Sequence, residues 1–307
     1  MVMVLIPGKN IPCIGAATRW AAAPTRSELD FMLMRAAGEL LVYQQAESLG
    51  AAADLDLAIE LLSGTRRDAA DPAGAASTGP MIRIYRPQPT VAFGQRDSRL
   101  PGFEAAQQAC RDLGFTPVIR RAGGRAAAYH RGSLVIDHIE PDADPIRQSQ
   151  ARFWSFGELF AAALGAVGIE ARVGPIPAEY CFGEHSVHGI SPTQRDVRIK
   201  LIGTAQRQIA TGWLFSSSII IEDGAPIRRV LLEAYAAMGL EWDPLTAGAA
   251  EDLNPAVTVE TVEQAVLDAY AQHWSLSFGT PAALSVPSAG PAGSGVRAAA
   301  GRGQPRV

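Results

Sequence analysis

Apolar and polar residues alternate along this chain with two periodicities, one typical of helices and one typical of strands. In the longest helical stretch, 149–166, the aromatic residues Phe153, Phe156 and Phe160 fall on one side. Helical spacing also occurs at 54–62, 103–113, 226–238 and 259–274, and residues 27–41 have helical character. Short apolar runs predict strands at 81–85, 90–94, 117–121, 133–139, 197–206 and 213–222.

The order of these elements predicts the fold class. Because strands and helices are mixed without a strict alternation, we expect an α+β fold with a mixed, largely antiparallel sheet flanked by helices. The strands at 81–85 and 90–94 surround Pro87-Gln88-Pro89, which predicts a hairpin-like connection. The strands at 197–206 and 213–222 are expected to be neighbours in the sheet.

Three regions are expected along the chain. Residues 1–48 are an N-terminal extension of uncertain structure, residues 49–285 are the folded domain, and residues 286–307 are a tail of Pro, Gly, Ala, Ser and Arg. Such a composition cannot bury an apolar core, so we expect the tail to be disordered.

Composition narrows the class of protein. A length of 307 residues with 48% hydrophobic residues is enough for one substantial domain. The formal net charge of -4 and the scattered basic residues argue against a nucleic acid or an anionic membrane as partner. The three cysteines are odd in number and far apart, and the first eight residues do not resemble a signal peptide. We therefore expect a cytoplasmic protein.

Lysine is rare in this chain, because 25 of the 27 basic residues are arginines. Lys200 lies in the predicted strand 197–206. A lysine kept there among so many arginines indicates a role that needs a compact, titratable amine. Cys181 lies nineteen residues upstream. A nearby ammonium favours a thiolate nucleophile, so the pair predicts an acyl-transfer site. The alternative is that Cys181 is a small buried hydrophobic residue.

A glycine pair ends the strand predicted at 117–121, in the sequence Arg120-Arg121-Ala122-Gly123-Gly124-Arg125. Paired glycines let backbone N–H groups approach an acyl chain or a phosphate closely, and arginines bind phosphate through two hydrogen bonds. The alternative is an ordinary tight turn with solvated arginines. The segment is neither a P-loop nor a Rossmann motif.

The spacing of Cys181, His185 and His188 is compatible with three ligands of a zinc ion. Metal-binding histidines usually need further groups that orient them, and the sequence offers none nearby. No metal is therefore predicted.

Three segments, taken in order, resemble the lipoate-protein ligase and octanoyltransferase family. The first is Arg120-Arg121-x-Gly-Gly-Arg followed by Tyr129-His130, and the second is Glu179-Tyr180-Cys181. The third, Lys200-Leu201-Ile202-Gly203-Thr204-Ala205-Gln206-Arg207, is the most specific, because family members carry Lys-(Val/Ile/Leu)-x-Gly-(Ser/Thr/Asn/Ile)-Ala-Gln-Arg there. The resemblance runs from about Ala51 to about Leu276 and implies a catalytic domain of the biotin/lipoate protein ligase type for the folded domain.

Members of this family use one of two chemistries. Lipoate ligases use ATP to form a lipoyl adenylate and usually carry a Ser-Gly-Gly-Gly loop, then Tyr-His-Asp-x-Gly-Asn. Here Ala122, Arg125 and Arg131 replace the serine, the third glycine and the aspartate. The Gly-Gly-Arg form and the pair Cys181-Phe182 are more similar to the cysteine-dependent octanoyltransferases. The resemblance therefore implies transfer of an octanoyl or lipoyl group through a Cys181 thioester, with an ATP-dependent ligase or a non-catalytic acyl- or lipoyl-domain-binding protein as alternatives.

The resemblance also implies roles for residues and partners. Cys181 is expected to be the nucleophile, and Lys200 to stabilise the thiolate and the oxyanion. The expected substrate-binding residues are Arg120, Arg121, Gly123, Gly124, Arg125, His130, Gly203, Thr204, Ala205 and Gln206. The donor is expected to be an acyl carrier protein or free lipoate, and the acceptor a lipoyl domain of a 2-oxoacid dehydrogenase or the glycine cleavage H protein. The thioester route needs no cofactor, whereas a ligase needs ATP and Mg.

Overall fold

The computed structural model describes residues 38–66 and 78–284. The predicted tail, 286–307, lies outside these residues, and so do residues 1–37 of the predicted N-terminal extension. Among the described residues, no helix is both long enough and apolar enough to cross a lipid bilayer.

The described residues form five α-helices and eleven β-strands. The helices are α1 (Ala51–Ser63), α2 (Phe103–Asp112), α3 (Ser149–Ala166), α4 (Gly224–Ala237) and α5 (Val259–Ala271). The strands are β1 (Glu39–Gln44), β2 (Met81–Tyr85), β3 (Thr90–Phe93), β4 (Thr116–Ile119), β5 (Ala127–Tyr129), β6 (Ser133–Pro141), β7 (Ala171–Val173), β8 (Val187–Ile190), β9 (Arg198–Ile209), β10 (Gly212–Ile220) and β11 (Ser275–Phe278). α3 and β2 have their predicted bounds, and most other predicted elements differ by a few residues at their ends.

Eight strands form one large sheet in the order β11-β1-β2-β6-β10-β9-β8-β7. β1 pairs in parallel with both β11 and β2, and the five pairs from β2 to β7 are antiparallel. A smaller sheet, β4-β3-β5, has one parallel and one antiparallel pair. The predicted α+β class with a mixed, largely antiparallel sheet is confirmed, and so is the pairing of β9 with β10.

Side chains of the central strands alternate between a packed core and an open cavity. On β6, Leu134 and Ile136 belong to the core that also contains side chains of α3 and α5. Val135 and Asp137, which alternate with them along the strand, line the cavity. Successive residues of a strand point to opposite faces, so the face opposite this core supplies the cavity wall, while another part of that face packs against α1.

The structure corrects two expectations about the first strands. β2 and β3 do not form a hairpin, because β2 lies in the large sheet and β3 in the small one. Pro87 and Pro89 have no N–H group to continue a strand ladder, so the chain crosses between the sheets there. Residues 39–41, predicted to be helical, belong to β1 instead. The sheet therefore begins before residue 49, the predicted start of the folded domain.

Candidate active site

A cavity of about 290 Å³ lies beside the central strands. Its walls come from α1 and α3, from β5, β6, β9 and β10, and from two loops, one after β4 and one before β8. Cys181, Lys200 and Gly124 all line this cavity. The structure therefore brings the predicted nucleophile, the predicted amine and the glycine loop to one place.

The glycine loop after β4 depends on close backbone contacts. A Cβ atom on Gly94 would lie only 1.9 Å from the carbonyl oxygen of Gly124, so no larger residue fits at position 94. Gly124 has a φ of 100°, which is unfavourable for residues with a side chain. A Cβ atom on Gly124 would lie 2.5 Å from Nη2 of Arg120 and 3.0 Å from Sγ of Cys181. Gly123, in contrast, faces open space.

The sulfur of Cys181 faces hydrogen-bond donors from the glycine loop. The N–H of Arg125 donates to Sγ at 3.1 Å, and Nη2 of Arg120 lies 3.8 Å from it. Donors aimed at a sulfur stabilise negative charge on it. Cys181 is only partly buried, and its φ of 45° is uncommon for a residue with a side chain. The geometry is that of a held, accessible thiol, not of a small hydrophobic residue in the core.

Tyr235 of α4 tethers the backbone of Cys181. The N–H of Cys181 donates to the Tyr235 hydroxyl at 2.8 Å, and that hydroxyl donates to the carbonyl of Ala126 at 2.9 Å. Tyr235 is 3% exposed and packs against Trp242, with 5.8 Å between ring centroids. Burial raises the pKa of Tyr235, so its hydroxyl keeps its proton. One side chain therefore joins the cysteine loop to the glycine loop.

Lys200 approaches the cysteine loop from β9, and its side chain is 3% exposed. Its Nζ atom lies 2.9 Å from Oε2 of Glu179. The ammonium also donates to the carbonyls of Tyr180 at 3.1 Å and Cys181 at 3.0 Å. The hydrogen bonds of this ammonium are to the backbone of the cysteine loop, and its expected effect on the sulfur stays a prediction. The Lys200 ammonium therefore has two hydrogen-bonded carbonyls and one ion-paired carboxylate around it.

The three predicted arginines have different partners. Nη1 of Arg125 lies 2.9 Å from Oδ1 of the fully buried Asp97, which braces the glycine loop. Nη2 of Arg120 donates to the carbonyl of Arg125 at 2.7 Å. Arg121 is 60% exposed and lies 3.8 Å from Asp56. Arg120 and Arg121 line the cavity, whereas the Arg125 side chain supports the loop through Asp97.

The most specific predicted segment, on β9, lies partly at the cavity. Gly203, Thr204 and Ala205 line it. The next residue, Gln206, donates to the carbonyl of Ser149 at 2.6 Å and so holds the start of α3. The segment therefore forms a wall of the cavity with its first part and anchors a helix with its last.

His130 has a bracing position outside the cavity lining. The N–H of Gly132 donates to its Nδ1 at 3.0 Å, and its Nε2 lies 2.9 Å from the carbonyl of Asp223. The ring therefore joins the turn between β5 and β6 to the start of α4. Its expected part in substrate binding stays a prediction.

The two histidines weighed as zinc ligands lie in different surroundings. His185 lines the cavity and its ring stacks on Phe153, with 5.2 Å between centroids. His188 lies on β8, with Nδ1 3.3 Å from the carbonyl of Gly174. Burial lowers the pKa of both histidines. In the part of the chain that the structure describes, no group of three His, Cys, Asp or Glu residues could hold a metal ion.

Three residues at the site were missed as candidates from sequence. Glu179 could have been found from the sequence, because it belongs to the segment Glu179-Tyr180-Cys181. In the structure its carboxylate pairs with Lys200. Tyr235 and Asp97 could not have been found, because each reaches the site through the packing of a distant element.

The comparison with known families agrees with this geometry. Residues 67–271 match the sequence model of the lipoyl protein ligase A/B catalytic domain. The chain belongs to this family. It is 25% identical over 192 residues to an octanoyl-[GcvH]:protein N-octanoyltransferase of Geobacillus kaustophilus, covering 62% of this chain and 64% of that protein. A protein of the same name from Exiguobacterium sibiricum is 25% identical over 172 residues, covering 55% and 59%. The chain thus spans less than two thirds of the length of these two relatives.

Solved structures share the fold. A bipartite lipoate protein ligase of Thermoplasma acidophilum superimposes with a TM-score of 0.55 at 17% identity, over 81% of this chain and 89% of that one. The crystal structure of a lipoate-protein ligase A bound with ATP gives a TM-score of 0.54 at 16% identity, over 81% and 92%. At these identities the similarity establishes the common fold.

Proposed function

We propose that this protein transfers an octanoyl or lipoyl group to a lysine of a lipoyl carrier domain, through a thioester on Cys181. The proposal is carried by the position of the Cys181 sulfur, which lines the cavity 3.1 Å from the N–H of Arg125. The names of the two relatives, which describe transfer of octanoyl groups from GcvH to protein, support the same acyl group.

In the first step, the thiolate of Cys181 attacks the carbonyl carbon of the acyl donor. An S–C bond forms, and the bond to the donor's leaving group breaks as that group takes up a proton. The N–H of Arg125 and the guanidinium of Arg120 stabilise the charge on sulfur and then the charge that develops on the carbonyl oxygen. Leu55 and Leu214 line the apolar part of the cavity and contact the acyl chain.

In the second step, the amine of the carrier lysine attacks the acyl carbon. An N–C bond forms, the S–C bond breaks, and the proton that the amine loses ends on the departing Cys181 sulfur or in water. Lys200 holds the carbonyls of Tyr180 and Cys181 throughout, and its positive charge lies beside the reacting centre. Such preorganised charge needs no rearrangement when the oxyanion forms.

The thioester route is favoured over the ATP-dependent route by the contacts of Lys200. In a ligase we would expect this lysine to contact the phosphate of an acyl adenylate. Here the Nζ atom lies 2.9 Å from Oε2 of Glu179 and donates to the carbonyls of Tyr180 and Cys181, so the ammonium is oriented towards the cysteine loop. The route through Cys181 uses neither ATP nor Mg, takes octanoyl-acyl carrier protein or octanoylated GcvH as donor, and uses lipoyl domains of 2-oxoacid dehydrogenases or GcvH as acceptor.

Intact-protein mass spectrometry tests the proposal. The protein is incubated with octanoyl-acyl carrier protein without ATP, and we expect one octanoyl adduct that is lost in Cys181→Ala. Cys110→Ala is the matched control, since burial raises the pKa of Cys110 to about 12 and leaves it unreactive. An adduct that persists in Cys181→Ala, or carrier modification that requires ATP and survives that substitution, would refute the thioester route.

A further inference from the structure

The loop that carries Cys181, between β7 and β8, contains two residues in the left-handed region of backbone conformation. Ala178 has a φ of 60° and Cys181 a φ of 45°. A residue with a side chain persists in such a conformation only where the surrounding structure holds it there. The position of the Cys181 sulfur therefore depends on what holds this loop.

Glu179 lies between these two residues in sequence and is 4% exposed. Its Oε1 atom accepts from the hydroxyl of Ser186 at 2.9 Å and from the N–H of Ile176 at 3.3 Å. It also accepts from the N–H of Gly183 at 3.5 Å. These donors lie on both sides of Cys181 along the chain, so one carboxylate oxygen closes the loop around the cysteine.

The second oxygen of Glu179 fixes the loop to the large sheet. Oε2 lies 2.9 Å from Nζ of Lys200, which belongs to the inner strand β9. The same Nζ atom donates to the carbonyl of Cys181 at 3.0 Å. The Glu179 carboxylate and the backbone of the cysteine thus share one partner on the sheet.

Contacts from outside the loop reach its two left-handed residues at one backbone atom each. The N–H of Asp243 donates to the carbonyl of Ala178 at 2.7 Å, and the N–H of Cys181 donates to the Tyr235 hydroxyl at 2.8 Å. Glu179 connects the parts of the loop to one another between these two points. A buried carboxylate with several donors is a strong point of attachment, because hydrogen bonds to a charged acceptor exceed those between neutral groups.

We infer that Glu179 is a positioning residue for acyl transfer: its carboxylate holds the loop so that the Cys181 sulfur stays 3.1 Å from the N–H of Arg125. It acts through the backbone of the loop and takes part in no bond that forms or breaks. Without it, Cys181 relaxes towards an ordinary φ and its sulfur moves away from that donor. A displacement of about 1 Å at a reacting atom lowers a rate by on the order of 100-fold.

This inference rests on the proposed function, and two rates measured on the same proteins separate them. The first is acylation of Cys181 by octanoyl-acyl carrier protein, followed by single-turnover mass spectrometry. The second is alkylation of Cys181 by iodoacetamide at pH 9, where an ordinary thiol is largely ionised, with the site confirmed by peptide mapping. Alkylation needs an accessible thiolate, whereas acylation also needs donors placed for the carbonyl oxygen.

The variants are Glu179→Ala, Glu179→Gln and Ser186→Ala, each with its Tm measured. Glu179→Gln keeps an acceptor oxygen for the three loop donors and loses the ion pair with Lys200. Ser186→Ala removes the shortest of the three hydrogen bonds to Oε1. The matched control is Glu170→Gln, which removes a carboxylate paired at 2.9 Å with Arg172 on the surface.

We expect Glu179→Ala to acylate about 100-fold more slowly than the wild type, with alkylation changed by less than about 3-fold. Glu179→Gln should recover part of the rate, to within about 10-fold of the wild type, because the loop donors keep their acceptor. Ser186→Ala should also be slower by about 10-fold and carries the test if Glu179→Ala does not fold. Glu170→Gln should match the wild type in both rates.

Normal acylation by Glu179→Ala, or by Ser186→Ala in its place, would overturn the inference. Parallel losses of acylation and alkylation would show a merely structural role and would overturn it as well. Glu179→Gln as slow as Glu179→Ala would assign the effect to the ion pair with Lys200 and not to the loop. If the wild-type protein is alkylated at Cys181 but never acylated there, the proposed function fails and the inference fails with it.

Discussion

Replacing Tyr235 with phenylalanine removes one oxygen atom that joins the two loops of the site. Two hydrogen bonds are lost, the one from the N–H of Cys181 at 2.8 Å and the one to the carbonyl of Ala126 at 2.9 Å. Each buried partner left unpaired costs about 1–3 kcal/mol. We therefore expect a loss of about 2–4 kcal/mol in the free energy of unfolding and a fall of roughly 5–15 °C in Tm.

The same change should slow the chemistry. Without the hydroxyl, nothing else described holds the N–H of Cys181, whose φ of 45° is strained. The sulfur then moves relative to the N–H of Arg125, and a shift of about 1 Å in a reacting atom costs on the order of 100-fold in rate. We expect acylation of Cys181 to fall by about 10- to 100-fold, measured by single-turnover mass spectrometry well below the lowered Tm.

Tyr270→Phe is the matched control for this substitution. Tyr270 is fully buried, and its hydroxyl makes one long contact of 3.4 Å with Nδ1 of His138, far along the chain from the cysteine. We expect a smaller loss of Tm and a normal acylation rate. Wild-type acylation by Tyr235→Phe, or equal slowing by both variants, would refute the tethering argument.

Lys200→Arg should lower acyl transfer by at least about 100-fold in a turnover assay, because a planar guanidinium is too wide to replace one ammonium that meets two carbonyls and a carboxylate. Near-normal turnover would contradict this. Gly124→Ala should abolish acylation and lower Tm, since its Cβ would lie 3.0 Å from the Cys181 sulfur. In the control Gly123→Ala the new Cβ meets no atom within 4 Å, so acylation and Tm should stay as in the wild type. Burial lowers the pKa of His188 below its usual 6.5 in the folded protein. The unfolded chain therefore binds this proton more readily than the folded protein, and the free energy of unfolding should fall as pH drops through about 6.5. Between pH 5 and 8, Tm should depend less steeply on pH in His188→Gln than in the wild type. An unchanged slope of Tm against pH would contradict this role of His188.

The sequence by itself determined the helices, the longer strands and the residue types at the site. α3 and β2 have their predicted bounds because the period of apolar residues is a local property of the chain. β5, β7, β8 and β11 were not predicted; they have three or four residues each, and the equally short β3 and β4 were found only because their apolar runs stand between turn residues. That Cys181 and Lys200 lie at one cavity was predictable, because a rare reactive residue in an ordered motif is visible without knowing its contacts.

The tertiary structure decided which atoms meet. The donor to the Cys181 sulfur is 56 residues away along the chain, and the hydroxyl that holds its N–H is 54 residues away. The ammonium of Lys200 contacts two backbone carbonyls and Glu179, and the sequence pattern predicted only that Lys200 and Cys181 would face one cavity. Such partners depend on how closely separate elements pack, as at Gly94 and Gly124, and no local pattern of polar and apolar residues encodes that distance.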